Sequence, residues 1–104
     1  MSKYVVKQPN SKLAIFCTVG DDFVYYDCTP EEAEHFLCEE FDGGPAIAKE
    51  KVRRGIEDEM LDGGACTIWR DRFPGLGRWH ASIQKILIVH GWERAKAALN
   101  KLAQ

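Results

Sequence analysis

Apolar and polar positions change their period several times along the chain. Lys3 to Gln8 closes at the turn signal Pro9-Asn10-Ser11. Beyond it Leu13, Ile15, Cys17 and Val19 alternate with Ala14, Phe16 and Thr18, and both sets are largely apolar. A strand with two apolar faces belongs at the centre of a sheet. Gly20-Asp21 fits a two-residue hairpin loop with glycine first, and it leads into a third strand from Phe23 to Cys28.

The period then becomes helical. Thr29 can cap, Pro30 suits a first helical position, and Glu32 stands three residues after Thr29 as in a capping box. The helix is expected to run to about Phe41, with Ala33, Phe36, Leu37 and Phe41 facing the sheet and Gly43-Gly44 as its stop. Pro45 opens a second helix, in which Ala48, Val52, Ile56 and Met60 recur every four residues. Glu50 with Arg54, and Arg53 with Glu57, form i,i+4 pairs on its solvated side, and Gly63-Gly64 ends it. Ala65 to Arg70 reads as a short edge strand. From His80, the positions Ile83, Ile86, Leu87 and His90 share a helical face, Gly91 interrupts, and Trp92, Ala95, Leu99 and Leu102 make a last stripe. Ile86 to Val89 reads as helix, with a buried strand as the alternative that its β-branched residues would favour. The predicted fold class is α+β: an N-terminal three-stranded antiparallel sheet followed by about four helices, in a single domain spanning residues 1–104.

Composition narrows the class further. With 104 residues, 45% of them hydrophobic, the chain can bury about 65% of its unfolded surface, which excludes wholesale disorder. The longest apolar runs, Leu13 to Cys17 and Ile86 to Val89, fall far short of the roughly 20 residues of a membrane span. Met1 to Lys7 contains no signal-peptide core, so a cytoplasmic location with no membrane partner is expected. Cys17, Cys28, Cys38 and Cys66 are then expected as reduced thiols.

Charge is segregated along the chain. Residues 1–20 carry three lysines and no acid; residues 21–62 carry 14 acids against Lys49, Lys51, Arg53 and Arg54; residues 63–104 carry seven basic residues against Asp71 and Glu93. Glu31, Glu32 and Glu34 complement a helix dipole and need no other role. Glu39, Glu40 and Asp42, with Glu57, Asp58 and Glu59, sit at the unfavourable ends of their helices. They form a candidate acidic patch for a basic partner, the bland reading being a solvated face compensated by the basic C-terminal third.

Other constellations carry less. Cys28, His35 and Cys38, with Cys66 as a fourth, are a conceivable zinc set, but no C-x2-C pair is present, and small buried thiols with no metal are the preferred reading. No phosphate-binding glycine motif or nucleophile arrangement appears, so neither an enzyme nor a cofactor is expected. The segment from Ile68 to His80 is denser. Trp69, Arg70, Arg72, Phe73, Arg78 and Trp79 surround a Pro-Gly-x-Gly turn, a composition suited to a protein hot spot, a nucleotide or a single nucleic-acid strand. The competing reading is a packed loop whose Trp rings complete the core. On the binding reading, Arg72→Ala and Arg78→Ala weaken binding and leave the melting temperature within a few degrees.

The opening residues, Lys3-Tyr-Val-Val-Lys-Gln-Pro-Asn-Ser-Lys-Leu-Ala-Ile-Phe-Cys-Thr-Val-Gly-Asp-Asp-Phe-Val and on to Thr29-Pro-Glu-Glu-Ala33, resemble small accessory proteins of phages and prophages of Gram-positive bacteria. The likeness covers about a third of the chain, and such proteins commonly carry Gly at the place of Ser11. The resemblance implies a phage accessory gene acting in the host cytoplasm and brings no catalytic residues. By association it points to inhibitors of host defence, anti-CRISPR proteins among them. The expected function is a non-enzymatic protein that binds and blocks an unidentified host protein such as a defence nuclease. The alternative is a small-ligand or single-stranded nucleic-acid binder using the Trp/Arg segment.

Overall fold

A computed structural model of the chain describes residues 3–40, 44–57 and 77–101. Three strands, β1 (Lys3–Lys7), β2 (Leu13–Cys17) and β3 (Asp22–Cys28), form an antiparallel sheet in the order β1-β2-β3. The described helices are α1 (Pro30–Glu40), α2 (Gly44–Ile56), α3 (Arg78–His90) and α4 (Trp92–Asn100). The α+β class is therefore as the residue pattern predicts.

β2 is central because both of its faces are apolar. Leu13, Ala14, Ile15 and Phe16 are all buried. Leu13 and Ile15 join Val5, Cys28, Ala33, Leu37, Ala48 and Val52 beneath α1 and α2. Ala14 and Phe16 join Val6, Phe23, Trp79, Ile83, Ile86, Ala95 and Ala98 beneath α3 and α4. The strand alternation thus divides the core into two halves, one on each side of the sheet. On the α3 side Phe23 is the hub, with ring centroids 5.2 Å from Phe16, 5.0 Å from Trp79 and 5.1 Å from Tyr26.

The capping box at α1 forms in both directions. The Thr29 amide donates to Glu32 Oε1 at 3.2 Å and the Glu32 amide donates to Thr29 Oγ1 at 3.1 Å. In α2, Glu50 bonds both Arg53 and Arg54, and Arg53 reaches Glu57, so the expected i,i+4 pairs are present.

Several expectations are corrected. The β2–β3 loop is the four residues 18–21 rather than a two-residue turn, and Asp21, not Gly20, takes the left-handed conformation at φ 53°. The inward stripe of α2 is Ala48, Val52 and Gly55, while Ile56 is exposed. A Cβ built on Gly55 would lie 2.7 Å from Val5 Cβ and 2.9 Å from the Val5 carbonyl oxygen, so only glycine lets α2 close on β1 at this point. Ile86 to Val89 is helical as expected, but Leu87, placed by the periodicity on the inward face with Ile86, is exposed. α4 buries Ala95 and Ala98 and turns Trp92 and Leu99 outward, because small side chains allow the closer approach. The proposed strand at Ala65 to Arg70, the C-terminal stop of α1, Met60 and Leu102 lie outside the described residues.

The outer edge of β1 is closed by side chains. The Gln8 amide donates to the Lys12 carbonyl at 2.8 Å, which turns the even-numbered residues of β1 toward β2 and the carbonyls of Lys3 and Val5 away from it. Lys51 Nζ donates to the Lys3 carbonyl at 2.5 Å and Arg78 Nη1 to the Val5 carbonyl at 2.8 Å. Those bonds occupy acceptors that an unprotected edge would offer to a foreign strand.

Candidate functional site

The described residues include Arg78 and Trp79 of the aromatic-basic segment and Glu39, Glu40 and Glu57 of the acidic patch. In the aromatic-basic segment, Arg78 and Trp79 are not surface contacts: they are the first two residues of α3 and only 1% and 4% exposed. Arg78 is tied to the Val5 carbonyl and Trp79 packs on Phe23, so for these two the packed reading holds. The physical reason is that α3 begins at Arg78, two residues before the expected start, which rolls both side chains inward. Trp69, Arg70, Arg72 and Phe73 lie outside the described residues.

The acidic patch divides as well. Glu57 is exposed but bonded to Arg53, so its charge is compensated. Glu39 is exposed and its only described ionic neighbour is His35, at 3.8 Å. Glu40 closes α1. Asp42, Asp58 and Glu59 lie outside the described residues.

Around Glu39 the structure adds residues that the sequence reading did not assemble. α1 carries Glu31, Glu32, Glu34, Glu39 and Glu40 and no Lys or Arg. Among the described residues no Lys or Arg forms an ion pair with Glu31, Glu32, Glu34 or Glu39. Positions 31, 32, 35, 36 and 39 share one face of α1, and that face meets Tyr25 and Cys28 of β3 across an open groove of about 570 Å³. Two irregularities in the β2–β3 pairing set this up. Ile15 pairs with Tyr25 and Phe16 with Phe23, so Val24 is an extra residue; Leu13 pairs with Cys28, so Tyr26 and Asp27 oppose Ala14 alone. Bulges of this kind re-aim side chains. Here Tyr25 stands on the α1 side, half exposed, with its ring centroid 4.3 Å from Phe36 at 66°.

The second bulge is pinned from β1. Asp27 holds φ 57°, its amide donates to Gln8 Oε1 at 2.7 Å, and its carboxylate accepts from Gln8 Nε2 at 2.9 Å and Asn10 Nδ2 at 3.2 Å. The Gln8 bond, then the Asn10 bond, hold the Asp27 carboxyl below its ordinary value.

Burial, then the carboxylates of Glu32 and Asp27, push the Cys28 thiol up, so it remains protonated near neutrality. A thiol held protonated is a weak nucleophile. Cys28 and Cys38 open into different depressions on either side of His35, and among the described residues no three His, Cys, Asp or Glu side chains are grouped to hold a metal ion. Cys17, Cys28 and Cys38 are free thiols. No described helix is long and apolar enough to cross a membrane.

No protein-family model, curated protein or solved structure matches the chain.

Proposed function

We propose that the protein is a non-enzymatic binding protein that occupies a basic surface on another protein. In the setting that its opening residues imply, it is a phage-encoded inhibitor acting in the host cytoplasm, on a host protein such as a defence nuclease. Nucleases hold the phosphate backbone with Lys and Arg, and a folded acidic helix competes for those groups. The observation that carries the reading is the unbalanced charge of α1: five carboxylates in eleven residues, with no described Lys or Arg paired to those at 31, 32, 34 and 39. Like charges stacked on one helix face cost stability in isolation, and a basic partner removes that cost.

The test compares tagged wild-type protein with the Glu31→Lys/Glu39→Lys double variant in host lysate, with mass spectrometry and a nuclease assay on the captured protein. Capture of a basic nucleic-acid-binding protein, inhibited by the wild type, released as salt rises and lost in the variant, is the expected result. A captured partner that the variant holds equally well removes α1 from the contact.

A further inference from the structure

The groove between α1 and β3 combines two features that select one kind of side chain. Its wall is aromatic and apolar, from Tyr25 and Phe36 in edge contact, with Cys28 at the back. Its rim carries Glu31, Glu32, Glu39 and His35, and no Lys or Arg among the described residues lines it. A purely apolar side chain placed there would desolvate carboxylates and give them nothing in return. An anion would meet three carboxylates. A long apolar stem ending in a planar, delocalised cation satisfies both features, because such a head stacks on an aromatic ring and donates a fork of N–H groups to carboxylates.

From this geometry we infer that the groove receives an arginine side chain from a basic segment of the partner. The stem lies against Phe36, the guanidinium stacks on the half-exposed Tyr25 ring, and the donors reach Glu31 and Glu39. Glu32 already accepts from the Thr29 amide, so its principal role is the cap. The inference rests on the proposed binding function and names the partner's contacting group. It also gives the β3 bulges a consequence, since without the extra Val24 the register of Tyr25 against Ile15 would change and the ring would leave the groove.

The experiment titrates N-acetyl-L-arginine amide into isotope-labelled protein and follows backbone and aromatic resonances. N-acetyl-L-citrulline amide serves as the neutral isostere and N-acetyl-L-lysine amide as the non-planar cation. Saturable shifts at Tyr25, His35 and Phe36 with arginine, none with citrulline and weaker ones with lysine are expected. Glu39→Gln should weaken the arginine response about threefold, the size of one exposed charge contact. Tyr25→Phe keeps the ring and should retain the response, whereas Tyr25→Ala should remove it. Glu39→Gln is an exposed change, so the test does not depend on Tyr25→Ala folding. Absence of a saturable response, or an equal response to citrulline, overturns the inference; an equal response to lysine overturns its arginine specificity. If arginine gives no response while Glu31→Lys/Glu39→Lys still abolishes lysate capture, the groove falls and the acidic-helix function stands. If arginine responds and capture is unaffected by that double variant, the groove stands and the proposed partner contact falls.

Discussion

Arg78 shows how far one side chain's role depends on where its helix begins. Placed on a loop it would be a surface cation; as the first residue of α3 it is buried and donates to a β1 carbonyl 73 residues earlier in the chain. Arg78→Ala should therefore destabilise the fold by about 2–4 kcal/mol, through the lost charged hydrogen bond and the space left behind. Urea melts should show a lower midpoint with an unchanged slope; a wild-type midpoint would return Arg78 to the surface. Ser11 offers the opposite sign. It holds φ 71°, a conformation that costs a residue with a Cβ about 1–2 kcal/mol, and Ser11→Gly should raise the thermal midpoint by the equivalent of about 0.5–1 kcal/mol after the entropy of glycine is counted. Asp27 sets a pH dependence. Its carboxyl is lowered in the folded state, so its contribution is present above the ordinary carboxylate value near 3.9 and is lost as pH falls through the folded value. Asp27→Asn, which still tolerates the left-handed backbone, should be less stable than wild type at pH 6, and the gap should narrow by pH 2. A gap that stays constant between those pH values would remove the carboxylate from the network.

Elements were legible where their signals are local. The Thr29 and Glu32 cap, the two apolar faces of β2 and the Glu50 and Arg53 pairs follow from residues a few positions apart, and each is present in the fold. What a stripe reading misses is close approach. It prefers the largest apolar residues, Ile56 over Gly55 and Trp92 and Leu99 over Ala98, whereas α2 seats Gly55 inward and α4 seats Ala98 inward. Gly55→Ala tests this directly. The added methyl meets the Val5 carbonyl, which cannot move without breaking its bond to Arg78, so a loss of about 1–3 kcal/mol is expected despite the better helix propensity of alanine. Equal or greater stability would mean that α2 can shift away from β1 at no cost. The groove was illegible for a different reason. Glu39 could be read from its place at a helix end, but Tyr25 reaches Phe36 only through two bulges, and a bulge is a property of strand pairing that no single strand's sequence announces.

At the scale of the molecule, the sheet is a shared wall. Val5 and Val6, and Leu13 to Phe16, supply both halves of the core from two adjacent strands, so neither half can loosen alone. Phe16→Asp should accordingly abolish the whole cooperative transition, since an unpaired carboxylate among Phe23, Val6 and Trp79 costs several kcal/mol and also disturbs the neighbouring Ile15. A partial melt that spares α1 and α2 would show two separable units instead. The two layers also differ in charge: α1 has five acids and no base, while α3 and α4 together carry Arg78, Lys85, Arg94 and Lys96 against Glu93 alone. Among the described residues the bases of α3 and α4 do not pair with the acids of α1; Arg94 bonds Asp22 at the start of β3 instead. The closure of the β1 edge has a consequence for synthesis. Lys51 and the first half of the core leave the ribosome well before Arg78, Trp79 and Ala95 and Ala98 of α4, which cover the Phe16 and Phe23 face. At about 5–20 residues per second, the roughly 40 residues from the end of α2 to Ala98 take about 2–8 s. During that interval Phe16, Phe23 and the Val5 carbonyl lack the α3 and α4 residues that cover them, so the cooperative fold closes only after α4 has been made.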